Sequence, residues 1–136
     1  NKNLQFFVVG GGSEFFKIDS QVKKNKIENI YLIGELENSE FNYASFDYFL
    51  SLSKSEGMPY SVLEALSSNV WPILSDIPAH REIVKLWGAG SVYSLGSVQL
   101  ENHIETLSEF ERAVPFPEEF YKSTMLKRYA KAYKRI

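Results

Sequence analysis

The sequence predicts an α/β fold in which parallel strands form a doubly wound sheet that helices cover on both faces. Short apolar runs suited to buried strands recur along the chain, and longer segments suited to helices separate them. Glycine, asparagine or proline marks the ends of many of these segments. Strands that alternate with helices in this way form parallel sheets.

Five strands and five helices are predicted in order. The predicted strands cover residues 4–9, 29–33, 47–52, 71–74 and 91–94. The predicted helices cover residues 13–24, 59–68, 80–87, 98–112 and 118–135, and one or two helical turns are expected within 35–44. Ser13 suits a helix cap, Pro59 suits a first helical turn, and Asn69 suits the left-handed residue that ends a helix.

The carboxyl ends of the strands are the expected place for a ligand, because open parallel sheets bind ligands there. We expect four loops to line one edge. They cover residues 10–12, 34–35, 53–59 and 75–78.

Composition limits the classes of function. The chain has 136 residues, enough for one domain with a core, and its 44% hydrophobic and 24% charged residues are ordinary for a globular protein. A net charge of −2 does not favour nucleic acid as a partner. The absence of cysteine excludes disulfides and zinc–thiolate sites. The longest apolar runs are about five residues, so we expect no transmembrane span.

Several common motifs fail on inspection. Gly10 and Gly12 begin a dinucleotide fingerprint, but Phe15 stands at its third glycine. No phosphate-binding P-loop, Asp-x-Asp pair or Gly-x-Ser-x-Gly elbow occurs. His80 and His103 lack the spacing of a metal pair, and both are expected at the surface.

Residues 53–64 combine features of an anion site. A strand ends before them, Gly57 lets a ligand approach the backbone, and a helix starts near Pro59 with free N–H groups that favour phosphate. Glu56 lies before the helix, and Glu64 lies roughly 7 Å along it. Two carboxylates thus bracket a phosphate-sized site, and each could accept hydrogen bonds from the hydroxyls of a sugar.

Other interpretations of these residues remain open. Ser53 and Glu56 could form a capping box. Gly57 and Pro59 could mark a plain turn. Glu64 could be a solvated helix residue.

The spacing of Glu56 and Glu64 resembles the E-x7-E signature of family-4 glycosyltransferases, which retain the anomeric configuration and have the GT-B fold. The resemblance covers residues 4–93 and continues, in family order, through 7–12, 30–34, 43–50, 72–76 and 81–84. It implies a Rossmann-like C-terminal domain that holds a nucleotide-sugar donor.

The resemblance also implies roles for individual residues. Glu56 would contact the donor sugar as the catalytic residue, and Glu64 would bind the ribose hydroxyls. The donor sugar and diphosphate would be bound by Gly57, Met58, Pro59, Ser61, Val62 and Leu63, with Val62 and Leu63 lining the diphosphate end of the pocket. The base would be bound by Gly10, Gly11, Gly12, Ile33, Gly34, Glu35 and Leu36.

The implied partners are a UDP-, GDP- or similar nucleotide sugar and a glycan or lipid-linked acceptor. The acceptor would dock on a separate N-terminal domain. No metal or other cofactor is expected. The implied location is the cytoplasm, where contact with the inner face of the membrane is an open alternative.

Some family features are altered or missing. Asn69 replaces a usual glycine, Trp71 is bulky for its position, and Met58 replaces a common aromatic residue. The family's first strand, with an arginine and a Lys-Gly pair that grip the diphosphate, would precede Asn1. We therefore expect the chain to be a fragment with little or no transferase activity on its own.

The last predicted helix carries an apolar stripe and a basic cluster. It either packs on the domain with a solvated basic face or contacts an anionic membrane. Three classes of function are open at this point: a fragment of a transferase for surface polysaccharide, a non-catalytic nucleotide-binding module, and a flavodoxin-like signalling domain. The third is disfavoured because no acidic cluster ends its first strand.

Overall fold

The computed structural model describes residues 4–37, 42–105 and 107. The chain divides into two compact units, Asn1–Asn42 and Tyr43–Ile136, which we call unit 1 and unit 2. Every strand pairing in the described residues is parallel, and helices connect the strands. The predicted α/β, Rossmann-like fold class is therefore confirmed.

Unit 1 contains a two-stranded sheet and one helix. Strand β1 (Phe6–Val9) pairs with β2 (Ile30–Gly34), and helix α1 (Phe15–Lys24) connects them. Phe7 pairs with Tyr31 across the sheet, and their rings stack with centroids 5.1 Å apart. No described residue of unit 1 is fully buried.

Unit 2 contains a three-stranded sheet with β4 at its centre. After a 3₁₀ turn at Tyr43–Ser45, its elements are β3 (Tyr48–Ser51), α2 (Tyr60–Ser67), β4 (Trp71–Ser75), α3 (Pro78–Trp87), β5 (Ser91–Tyr93) and α4 (Val98–Glu105). The central position of β4 explains why its residues 72–75 are all buried, since strands flank it on both edges and α2 contacts it.

The core of the described structure lies in unit 2. Helix α2 contributes Val62 and Leu66, which are one turn apart and so lie on the same face of the helix. They pack in one cluster with β4 and α3, whose buried members are Leu74, Ile83 and Trp87. The remainder of the cluster is Ala89, with Phe49, Leu63, Trp71, Val84 and Val92 packed against it.

Most predicted element boundaries agree with the structure to within two residues. Asn69 has a left-handed φ of 63°, so the predicted stop after α2 is confirmed. Ser13 does not cap α1, because Glu14 occupies the cap position and no side chain caps this helix. Helix α3 begins at Pro78 rather than His80, which agrees with the preference of proline for a first turn.

The sheet and the C-terminal helices differ from the prediction in extent. The described strands form two sheets, β1–β2 and β3–β4–β5, rather than one. The predicted helix over 118–135, its basic cluster and the end of the helix predicted over 98–112 lie outside the described residues. In the described part of the chain, no helix is both long and apolar enough to cross a membrane.

Candidate functional site

The loop from β3 to α2 contains the predicted carboxylate pair. Glu56 lies in this loop, and α2 begins at Tyr60, with Pro59 at the cap position and no side chain bonded to the helix start. The capping-box interpretation of Ser53 and Glu56 is therefore wrong, because the helix starts well beyond them.

The first turn of α2 leaves backbone donors available. The amides of Val62 and Leu63 donate to the carbonyl oxygen of Pro59, at 3.1 and 3.3 Å. Among the described residues, no backbone acceptor is recorded for the amides of Gly57, Met58 or Ser61. Such amides, together with the helix dipole, favour an anionic group at this position.

The side chains around the helix start are open to solvent. Glu56, Gly57 and Glu64 are exposed, and Met58 and Tyr60 are 57% and 70% exposed. The two carboxylates therefore precede and follow an accessible, uncapped helix start. A ligand with an anionic centre and hydroxyls on both sides matches this order of groups.

Val62 requires a correction to the predicted site. Its side chain is 0% exposed and belongs to the core cluster, so it does not line a pocket. Leu63 is half-buried and packs against the same core. Both side chains pack beneath the helix start, whereas the neighbouring Ser61 is exposed.

Tyr43 is a site residue that the sequence prediction missed. Its phenolic O–H donates to Oε2 of Glu64 at 2.9 Å. Burial, together with the hydrogen bond to Glu64 and the charge of that carboxylate, raises the pKa of Tyr43 to about 12. The phenol is therefore a stable donor at neutral pH. The two residues are 21 positions apart, and no local pattern signals their contact.

A buried hydrogen-bond network fixes the start of the same loop. The hydroxyl of Ser75, at the end of β4, donates to the carbonyl oxygen of Ser53. Nδ1 of His80 donates to the carbonyl oxygen of Ser75 at 2.9 Å and lies 3.2 Å from its hydroxyl oxygen. Since a carbonyl can only accept, Nδ1 carries a proton in this arrangement.

The histidines are not the surface residues that the sequence predicted. His80 is 0% exposed, and its ring contacts Ser75 at the end of β4. His103 is half-buried, and its ring lies 5.1 Å from that of Tyr93. Among the described residues, no three His, Asp or Glu side chains are grouped as metal ligands would be.

The residues predicted to bind the base are brought together within unit 1. The amide of Gly10 donates to the carbonyl oxygen of Gly34 at 2.7 Å, which joins the ends of β1 and β2. The Glu35 side chain lies so close to Gly11 that a Cβ there would be 2.5 Å from Oε1. Gly12 has a φ of +95°, which non-glycine residues rarely adopt.

The exposure of this turn agrees with a role in binding. Ile33 and Leu36 are 43% and 36% exposed, so they offer apolar surface beside the glycines. Whether they contact a base stays a prediction, as does the expectation that all four loops line one edge.

Comparison of the sequence with models of protein families identifies the family. The model described as glycosyl transferases group 1 matches residues 1–127. The chain belongs to the group 1 glycosyltransferases. The predicted resemblance to glycosyltransferases is thereby confirmed at the level of this family.

Several curated proteins are similar to this glycosyltransferase chain. The O-antigen biosynthesis glycosyltransferase WbnH of Escherichia coli is 36% identical over 78 residues, covering 57% of the chain and 22% of that protein. Glycosyltransferase 1 domain-containing protein 1 of Xenopus tropicalis is 30% identical over 73% of the chain and 30% of that protein. The capsular polysaccharide biosynthesis glycosyltransferase CapH of Staphylococcus aureus is 33% identical over 61% of the chain and 24% of that protein. The chain thus spans less than a third of the length of these relatives.

Proposed function

We propose that this chain binds the nucleotide-sugar donor of a retaining glycosyltransferase of family-4 type. The observation that carries the proposal is the order of exposed groups in the β3–α2 loop. Two solvent-exposed carboxylates, Glu56 and Glu64, precede and follow a helix start that no side chain caps. Membership of the group 1 glycosyltransferases supports a sugar diphosphate as the ligand that fits this order.

The sugar, the diphosphate and the ribose of the donor each have a proposed partner in unit 2. The diphosphate lies at the start of α2, where the amides of Gly57, Met58 and Ser61 and the helix dipole stabilise negative charge. Glu56, on the loop side, accepts hydrogen bonds from the donor sugar. Glu64, on the helix side, accepts hydrogen bonds from the ribose.

No cation among these groups offsets the charge of the diphosphate. In the family this is done by an arginine and a Lys-Gly pair, and we propose that a segment outside this chain supplies them. The acceptor domain is proposed to lie outside the chain as well. The isolated chain is then expected to bind nucleotide but to transfer little or no sugar. We propose that binding of the donor requires no metal cofactor.

The names of the relatives indicate a class of acceptor. WbnH and CapH are named for the biosynthesis of O-antigen and capsular polysaccharide. We therefore propose that the whole protein extends a surface polysaccharide or a similar glycan on a lipid-linked acceptor. We also propose that this activity lies in the cytoplasm, at the inner face of the membrane.

Calorimetric titration of the chain with UDP and GDP tests the proposed site. Glu64→Gln is expected to weaken nucleotide binding roughly tenfold, because a charged acceptor contributes more to a hydrogen bond with the ligand than a neutral one. Glu101→Gln, an exposed residue of α4, is the matched control and should bind as the wild type does.

The proposed role of Glu56 can be tested only with a nucleotide that carries the donor sugar. Glu56→Gln is expected to weaken binding of a UDP- or GDP-sugar while leaving the free diphosphate nearly unaffected. Failure of the wild-type chain to bind any nucleoside diphosphate at millimolar concentration would overturn the proposal.

Retention is tested on the whole protein by NMR of the anomeric configuration of the product, and an inverted product would refute it.

A further inference from the structure

The hydrogen bond between Tyr43 and Glu64 joins two parts of unit 2 that are distant in sequence. Tyr43 begins the 3₁₀ turn, which the amide of Phe46 closes by donating to the carbonyl oxygen of Tyr43 at 3.0 Å. The ring of Tyr43 also makes an edge contact with Phe49 of β3, with centroids 5.9 Å apart. The 3₁₀ turn and the contact with β3 thus fix the position of the phenol that donates to Glu64.

Glu64 lies on the exposed face of α2, where a glutamate side chain normally samples several rotamers. The phenol engages only Oε2. Among the described residues, no donor is recorded for Oε1 of Glu64. The contact therefore restricts the carboxylate while leaving acceptor capacity for further donors.

We propose that Tyr43 is a positioning residue, which orients the Glu64 carboxylate so that it accepts hydrogen bonds from the two ribose hydroxyls of the donor. This inference rests on the proposed function, because it assigns a supporting residue to the same ribose site. Tyr43 acts through Glu64 and does not itself contact the reacting atoms. The cost of ordering the carboxylate is met during folding rather than on binding.

The chemistry of the phenol suits this role at neutral pH. With a pKa raised to about 12, the phenol stays protonated at neutral pH, so its O–H group donates to the carboxylate. The supported carboxylate then distinguishes a ribose from a sugar that lacks the 2′ and 3′ hydroxyls. Specificity for ribonucleotides becomes a joint property of Tyr43 and Glu64.

The test compares UDP and GDP with their 2′,3′-dideoxy forms by calorimetric titration of the 136-residue chain. Tyr43→Phe removes the hydroxyl and keeps the ring against Phe49. It is expected to weaken binding of the ribonucleotide roughly three- to tenfold, the loss of one hydrogen bond's contribution. Binding of the dideoxy nucleotide should change less than about twofold, because no ribose hydroxyls remain to be oriented.

Two further variants show whether the effect passes through Glu64. In the Glu64→Gln background, Tyr43→Phe should cause no additional loss, since coupled residues are not additive. Tyr48→Phe, a matched substitution of a half-buried tyrosine in β3, should leave both nucleotides unaffected. If Tyr43→Phe fails to fold, Phe49→Leu loosens the ring of Tyr43 instead and should reduce the same ribose preference.

The outcomes separate this inference from the proposed function. If Glu64→Gln weakens binding but Tyr43→Phe does not, the positioning role is wrong and the ribose site stands. Equal losses for ribonucleotide and dideoxynucleotide would show that Tyr43 is only a structural contact. If the wild-type chain binds neither UDP nor GDP, the proposed function and this inference are overturned together.

Discussion

Units 1 and 2 are built from the same parts, yet their strands are buried to different degrees. Leu74 in β4 is 0% exposed, whereas Val8 and Val9 in β1 are each 40% exposed. In unit 2, three strands with α2 and α3 packed beside them enclose apolar side chains. In unit 1, two strands and α1 do not, and α1 itself buries no residue. A two-stranded sheet alone has little independent stability, so apolar strand residues do not by themselves create a core.

The largest expected difference between the units lies in the loss of a strand leucine. Leu74→Ala should lower the free energy of unfolding by about 2–5 kcal/mol, because it empties a packed site. Leu32→Ala, in the half-buried β2, should cost roughly 1 kcal/mol. Trp71 and Trp87 both lie in unit 2, so the urea transition followed by tryptophan fluorescence reports on that unit.

The same fluorescence measurement can contradict the claimed difference between the units. Leu32→Ala should leave the midpoint of the tryptophan transition nearly unchanged. A shift as large as that of Leu74→Ala would mean that both leucines support one shared core.

Two glycines test packing density at a smaller scale. A Cβ at Gly90 would lie 2.8 Å from Cγ of Pro72 and 3.0 Å from Cγ2 of Val84, and its φ is +109°. Gly90→Ala should therefore destabilise unit 2 by about 1–3 kcal/mol. In unit 1, Gly11→Ala meets only the exposed Glu35 side chain, which can rotate away, so a change within roughly 0.5 kcal/mol is expected. Equal costs in urea unfolding would contradict the difference in packing.

The smallest effect concerns pH at the margin of the unit 2 core. The pKa of Tyr43 is raised from 10.0 to about 12 in the folded chain. Its stabilising contribution is therefore complete below pH 10 and is lost as the pH rises toward 12. Tyr43→Phe should flatten this part of the fall in the urea midpoint. An unchanged slope between pH 10 and 12 would show that other groups account for it.

The sequence predicted the strands, the parallel pairing and the two carboxylates before and after the start of α2, because each depends on local pattern or spacing. The burial of Val62 could also be predicted from the sequence, because Val62, Ala65 and Leu66 are spaced as one buried face of a helix. The contact of Tyr43 with Glu64 could not be predicted, because it depends on how the 3₁₀ turn and α2 pack. The burial of His80 could not be predicted either, because it depends on how the turn between β4 and α3 brings its ring to Ser75, five positions away.

The hydrogen bond from Ser75 to Ser53 has a consequence for how the site can change. It holds Ser53, the second residue of the β3–α2 loop, and the loop ends at the buried Pro59. Between them, residues 54–58 are exposed and contribute nothing to the core cluster. Substitutions there alter the surface presented to a donor while the framework keeps its stability. If the proposed donor site is correct, the loop is the part of unit 2 in which preference for a new sugar can arise, or be engineered, at the least risk to folding.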